Sequence, residues 1–191
     1  MKKPLVTSRN IKRTMKINKV EALYIHIPFC EHLCDYCDFP KLQYFTNLAK
    51  DYLKSLKKEL DSYSITHPLK TIYIGGGTPT SLEDDLFVEL LEMVKPYTDG
   101  VNEYTIEANP ESLSINKLKL MKQYGVNRIS IGVESTNDNI LKSINRHHTF
   151  DDVKKAILNA KEVGIDNLNV DLIIGLPNVT MELLKKDILN I

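Results

Sequence analysis

Ala22-Leu-Tyr-Ile-His-Ile27 leads through Pro28-Phe29 into Cys30-Glu-His-Leu-Cys34-Asp-Tyr-Cys37 and then Asp38-Phe39. The first six residues are β-branched, aromatic or otherwise apolar apart from one histidine, and they read as a strand. All 3 cysteines of the chain follow within eight positions. An odd, clustered set of thiols makes a poor disulfide framework. It makes a good ligand set for a metal or cluster in a reducing compartment.

The order of strand first and chemistry directly afterwards recurs down the chain. Further strands are expected at Thr71–Ile74, Glu103–Ala108, Arg128–Val133 and Asn169–Ile174. Helices are expected at Thr46–Tyr63, Leu82–Val94, Ile115–Tyr124, Asn137–Ile144 with Asp151–Val163, and Met181–Leu189. Apolar residues recur there at three and four, as in Leu53, Leu56 and Leu60 or Leu86, Leu90 and Val94. Thr46 or Asn47, Ser81 and Ser114 are candidate N-caps, and Ser81 with Asp84 approximates a capping box. Gly125 and Gly164 fit the C-terminal ends of helices. Five βα units with short connections favour parallel strands joined by right-handed crossovers. That pattern is shared by part of a (β/α) barrel and by an open α/β sheet. In both, ligands bind at the carboxyl ends of the strands. Gly75–Pro79, Glu107–Pro110, Glu134 and Gly175–Pro177 lie there.

The 191 residues carry 25 Lys or Arg and 25 Asp or Glu, for a net charge of zero, but the distribution is uneven. Residues 1–19 hold seven basic side chains and no acid, so residues 1–20 read as a basic, flexible leader before a single domain at 21–191. The leader has no Trp, Tyr or Phe for stacking on bases or anchoring in lipid, so nucleic acid is not an expected partner. No apolar run of signal-peptide length follows the charges. No stretch approaches a membrane span, so membrane contact is at most peripheral and a cytoplasmic location is expected.

The CxxxCxxC spacing carries the chemistry. Thiolates are selected by iron–sulfur clusters and by zinc. An all-cysteine [4Fe-4S] cluster takes four thiolates, and three leave one iron open to a ligand. A zinc site would need a fourth ligand, for which His26 or His32 is the candidate.

Tyr24-Ile-His-Ile-Pro-Phe-Cys30 through Cys37-Asp-Phe39 resembles the signature of the radical S-adenosylmethionine superfamily. Within it, the similarity is to the branch that holds oxygen-independent coproporphyrinogen III oxidase and the heme chaperone HemW. The resemblance implies that Cys30, Cys34 and Cys37 bind a [4Fe-4S] cluster whose open iron chelates the methionine moiety of S-adenosylmethionine. Electron transfer from the cluster then yields methionine and a 5′-deoxyadenosyl radical. It also implies cofactor contacts by residue. Ile74-Gly-Gly-Gly-Thr-Pro-Thr80 supplies Gly76, Gly77 and Thr78 for the methionyl amino group, a tight turn being the plainer reading of the same glycines. Glu107 would accept from ribose hydroxyls. Arg146 would pair with the cofactor carboxylate, for which a guanidinium fork is suited. Asp171, at the end of an apolar strand where an acid needs a partner, matches a cofactor-binding aspartate. Tyr24 would lie near the methionine and Tyr36 beside the cluster and adenine. His26 reads as a structural hydrogen-bonding residue, His32 as facing solvent, and neither His147 nor His148 as an acid–base group.

Two positions depart from the family pattern. Glu134 stands where glutamine is usual, and an ionised carboxylate accepts but does not donate. Thr136 stands where phenylalanine is usual. The Asp38-Phe39 pair after Cys37, in place of a further cysteine, is similar to HemW. The implied role is a heme chaperone with heme as cargo, an electron donor, and a heme-accepting respiratory protein as partners. The alternatives are a coproporphyrinogen dehydrogenase making protoporphyrinogen IX, or an inactive fragment. The resemblance covers five of the family's six βα units, leaving the C-terminal part of the core and the C-terminal domain outside the chain. A sheet ending at Asn169–Ile174 is expected to present an apolar edge.

Overall fold

The computed structural model describes residues 20–191. The basic leader lies outside the described residues. In chain order the strands are β1 (Ala22–Ile27), the two-residue segments β2 (Phe29–Cys30) and β3 (Leu42–Gln43), β4 (Thr71–Gly76), β5 (Glu103–Ala108), β6 (Arg128–Glu134) and β7 (Asn167–Leu172). The helices are α1 (Thr46–Ser62), α2 (Asp84–Val94), α3 (Ile115–Gln123), α4 (Asp138–Ser143), α5 (Phe150–Glu162) and α6 (Met181–Asn190).

The main sheet has the order β1-β4-β5-β6-β7, and every neighbouring pair is parallel. The strands succeed one another in one direction without reversal. Right-handed crossovers then put all connecting helices on one face, which is the winding of a barrel wall rather than of a doubly wound sheet. The five units form a partial (β/α) barrel.

Strand alternation sorts the residues between the two faces. Ile25, Ile27, Ile72, Ile74, Tyr104, Ile106, Ile129 and Ile131 are buried in one core with Leu53, Leu60, Phe87, Leu90, Leu118, Met121, Val153 and Ala160 of the helices. The alternate positions are Tyr73, Glu107, Arg128, Ser130, Gly132, Asn169 and Asp171, and they line a cleft on the other side.

Several local expectations need correction. Phe45, not Thr46 or Asn47, precedes α1 without a side-chain cap, and Thr46 Oγ1 donates to Glu83 Oε1 instead. Ser81 does not cap α2; its hydroxyl donates to the Thr78 carbonyl at 2.7 Å within a short 3₁₀ turn. Ser114 does cap α3, accepting from the Lys117 amide. Thr149 with Asp152 forms an unforeseen capping box on α5. β7 starts and ends two residues earlier than expected. The residues on its cleft-side face are Asn167, Asn169 and Asp171, and no residue in it is fully buried. The sheet edge is therefore polar on one face, and Asp171 is an exposed acid rather than one sunk in an apolar strand.

Thr136 acquires a structural reason here. Asp187 of α6 is buried and accepts three hydrogen bonds, from Ser135 Oγ (2.9 Å), Thr136 N (2.8 Å) and Thr136 Oγ1 (2.6 Å). These bonds tie the last helix to the end of β6. Asp187→Ala strips the carboxyl acceptors from all three donors, and its expected cost is about 3 kcal/mol. Urea unfolding followed by circular dichroism measures this, and an unchanged midpoint would refute the tie.

Candidate functional site

The site begins where β1 stops. Pro28 turns the chain into β2, and β3 returns alongside it in register Phe29↔Leu42 and Cys30↔Gln43. Tyr44 N donates to Cys30 O at 2.8 Å, which fastens the foot of the loop. Cys37 N reaches Cys34 O at 3.4 Å, and the Lys41 ammonium donates to Cys37 O. Cys30 is buried and Cys34 and Cys37 are half-buried; all three are free thiols and line one wall of a cleft of about 620 Å³.

The opposite walls come from the ends of β4, β5 and β6. Gly77 N and Thr78 N donate to Ile27 O (2.8 Å) and Phe29 O (2.7 Å), so the glycine-rich turn runs against the backbone that leads into Cys30. Thr78 Oγ1 donates to Cys30 Sγ at 3.7 Å. Glu107 is held at both oxygens, by Tyr73 OH (2.6 Å) and by Gly76 N (2.9 Å). Asn109 bridges the two sides: its Nδ2 donates to Thr78 Oγ1 at 3.3 Å, and its Oδ1 accepts from Arg146 Nη1 at 2.8 Å. Arg146 is buried, donates also to Gly132 O, and places Nη1 3.8 Å from Cys34 Sγ. Its Nε is buried without a hydrogen-bond partner. Tyr36 OH donates to Glu134 Oε1 at 2.8 Å, and the same oxygen lies 3.5 Å from Arg146 Nη2.

Two cations, Lys41 and Arg146, already stand beside the cysteines. Burial pushes the Cys30 thiol up, against the Thr78 hydroxyl that favours its thiolate, and the charges of Cys34 and Cys37 add to the rise. Three thiolates repel one another until metal charge intervenes. Among the described residues no group of three or more His, Cys, Asp or Glu is arranged to hold a single metal ion. A cubane spreads three thiolates over three different irons, so their sulfurs need not converge on one point. Neither histidine is placed as a fourth zinc ligand. His26 is engaged at both ring nitrogens, with Tyr24 OH and Pro40 O, each at 2.9 Å. His32 is exposed and stacks on His147. The donor set, the neighbouring cation and the unpartnered Arg146 Nε fit a cluster with a carboxylate-bearing ligand.

Glu134 sits at φ 64°, a strained backbone for this residue. Burial raises its pKa, while Arg146 and the Tyr36 hydroxyl oppose that rise. A carboxyl with a raised folded value contributes stability below its unfolded value, and that contribution is lost as pH rises through the folded one. Near neutrality the ionised group therefore burdens the fold. Glu134→Gln keeps an acceptor for Tyr36 and Arg146 and carries no charge. It is expected to raise the thermal midpoint at neutral pH, with the gain shrinking toward about pH 4. Midpoints measured across that range test this, and a loss at neutral pH would show that the ion pair outweighs burial.

The radical SAM superfamily model matches residues 24–189. The chain belongs to the radical SAM superfamily. Among curated relatives, heme chaperone HemW of Bacillus subtilis (strain 168) is 43% identical over 176 residues, covering 88% of this chain and 46% of the relative. HemW of Lactococcus lactis subsp. lactis (strain IL1403) is 41% identical over 174 residues, at 90% and 46% coverage. The oxygen-independent coproporphyrinogen-III oxidase-like protein HemZ of Bacillus subtilis (strain 168) is 38% identical over 169 residues, at 82% and 33% coverage. The solved structure of coproporphyrinogen III oxidase (HemN) from Escherichia coli, itself described as a radical SAM enzyme, superposes with TM-score 0.83 at 28% identity. That match covers 91% of this chain and 42% of the other. The chain thus spans less than half the length of these relatives.

The radical SAM core gathers Cys30, Cys34, Cys37, Tyr36, Gly76, Gly77, Thr78, Glu107, Glu134, Arg146 and Asp171 around the cleft. Tyr24 is not among the lining residues; it is more than half exposed and its hydroxyl meets His26. Tyr73, on the next strand, lines the cleft instead. Asn109 escaped sequence reading because a cap and a ligand-positioning amide look alike there; it does cap a 3₁₀ turn. His148, read from the sequence only as no acid–base group, is buried. Its buried ring reaches Val133 O at 3.2 Å and faces Glu111 at 3.5 Å, behind Arg146.

Proposed function

We propose that Cys30, Cys34 and Cys37 hold a [4Fe-4S] cluster with one open iron, that S-adenosylmethionine binds beside it, and that the chain serves as the N-terminal part of a HemW-like heme chaperone. The observation that carries the site is the meeting of three free thiols with Arg146 and the glycine-rich turn on one cleft. Bound there, the cluster and the sulfonium would supply one-electron reductive chemistry. The protein's own part is positioning. Arg146 offers Nε to a carboxylate, Gly76–Thr78 face the amino group, and Glu107 and Glu134 accept from ribose hydroxyls. Tyr36 lies against the base, and Asp171 and Ser130, 3.0 Å apart, form a polar floor. Tyr24 acts through His26.

Asp38-Phe39 after Cys37, and the names carried by the relatives at 43% and 41% identity, support the chaperone role. An electron donor, heme as cargo, a heme-accepting respiratory protein as partner and a cytoplasmic location for the chain itself complete that reading. The likeness to HemN supports a second one, a coproporphyrinogen dehydrogenase. The test is anaerobic reconstitution followed by separate incubation with S-adenosylmethionine, heme and coproporphyrinogen III. The expected result is a cluster whose spectrum changes with S-adenosylmethionine and a chain that binds heme without turnover. Protoporphyrinogen formation would favour the dehydrogenase. Stoichiometric zinc with no cluster would overturn the metal assignment, and a cluster indifferent to S-adenosylmethionine would point to an inactive fragment.

A further inference from the structure

Four consecutive residues beyond α4 each touch a residue of the cysteine loop. Ile144 O accepts from Asp35 N at 3.4 Å. Asn145 Nδ2 donates to Leu33 O at 2.8 Å. Arg146 Nη1 points to Cys34 Sγ at 3.8 Å. The His147 ring stacks on His32, with centroids 3.8 Å apart and planes 16° off parallel.

We propose that Ile144–His147 is a docking strip for the cysteine loop, and that Asn145 is its positioning residue. The helix end builds the strip. Asn145 N bonds to Lys142 O (3.2 Å) and Arg146 N to Leu141 O (2.9 Å), the paired bonds of a Schellman ending, with Asn145 at φ 60°. Glycine is the residue that most easily takes that backbone, and asparagine tolerates it. Asparagine adds what glycine lacks. Its Nδ2 holds Leu33 O, and its Oδ1 lies 3.3 Å from His147 Nε2, steadying the ring that stacks on His32. One amide therefore fixes the loop at two places on either side of Arg146, the residue aimed at Cys34. The left-handed turn also sends Arg146 back toward the cleft, so guanidinium and loop share one anchor.

The inference rests on the proposed cluster, and its test separates the two. The reconstituted chain, Asn145→Gly and Asn145→Asp are compared by hydrogen–deuterium exchange, thermal unfolding and loss of visible absorbance to an iron chelator. Asn145→Gly keeps the turn and removes the amide. Its thermal midpoint is expected to equal or exceed that of the parent. Exchange in Glu31–Cys37 and cluster loss are expected to rise about threefold to tenfold, the worth of one hydrogen bond. Asn145→Asp puts an acceptor against the Leu33 carbonyl and is expected to loosen the loop at least as much. A purely structural residue would give the opposite pairing, a lower midpoint with exchange raised equally in α4 and β4–β6. That outcome, or parent-like loop exchange in both variants, overturns the proposal. If the parent takes up no cluster, the proposed function fails, and the exchange comparison still decides the docking.

Discussion

Cys34→Ala is expected to hold essentially no cluster after anaerobic reconstitution, where the parent chain takes up close to four irons and four sulfides, as a [4Fe-4S] cluster requires. Cys34 is the middle cysteine of the proposed ligand set, and the thiol that Arg146 Nη1 approaches at 3.8 Å. Alanine leaves two thiolates and removes the sulfur facing that cation. Among the described residues, His26 is already committed at both ring nitrogens to Tyr24 and Pro40, and no group of three or more His, Cys, Asp or Glu is arranged around a metal ion with His32 in it. Because Cys34 is half-buried at the cleft wall, outside the main core, thermal unfolding of the metal-free chain is expected to move by less than about 1 kcal/mol. The loss would then belong to metal uptake and not to folding. Iron and sulfide assays with the visible spectrum make the comparison, and parent-level iron in Cys34→Ala would remove the three-thiolate site.

The parts of this molecule that follow from periodicity were open to sequence reading. Strand alternation put Ile72, Ile74, Ile129 and Ile131 toward helices whose apolar residues recur at three and four. The five strands of the main sheet and the six helices follow from that signal, with ends shifted by a residue or two, while the two-residue β2 and β3 do not. Cysteine spacing is equally local, so the thiols were legible. Features built from contacts distant in sequence were not. Ser81 looks like a cap because its neighbours are acidic, yet the chain folds it onto Phe29 O, fifty-two positions back. Asp187 closes on Ser135 and Thr136 across fifty-one or more positions, and no local pattern announces that. Asn145 has the sequence signature of a helix end, but its partner at Leu33 is 112 positions away. Tyr24 was assigned to the cleft by motif, while its neighbours turned it toward His26. In sequence the glycines fit either a tight turn or room for a ligand. Gly76, at φ 118°, and Gly77 make room first for the protein's own His26 ring and Phe29 backbone.

That difference yields the second large effect. Gly77→Ala is expected to cost about 3 kcal/mol and to lower cluster uptake with it, at the upper end of what overpacking usually costs. A Cβ at residue 77 would stand 2.7 Å from Phe29 O and 2.9 Å from both Phe29 C and N. Those atoms are backbone, and they cannot swing aside as a side chain would. Phe29 is itself fully buried, with Tyr52 and Tyr44 edge-on at 5.4 and 6.2 Å. Relief requires β2 to move, which breaks the bonds from Gly77 N to Ile27 O and Thr78 N to Phe29 O and displaces Cys30, the next residue. Gly125→Ala is the control. Its φ of 86° penalises alanine, but nothing lies within 4 Å of the new Cβ. About 1 kcal/mol and unchanged cluster content are expected there. Denaturant unfolding and iron content of the two variants separate backbone preference from close approach. If Gly77→Ala behaves like Gly125→Ala, the glycine-rich turn does not press on the cysteine strand, and its glycines must be explained by a ligand alone.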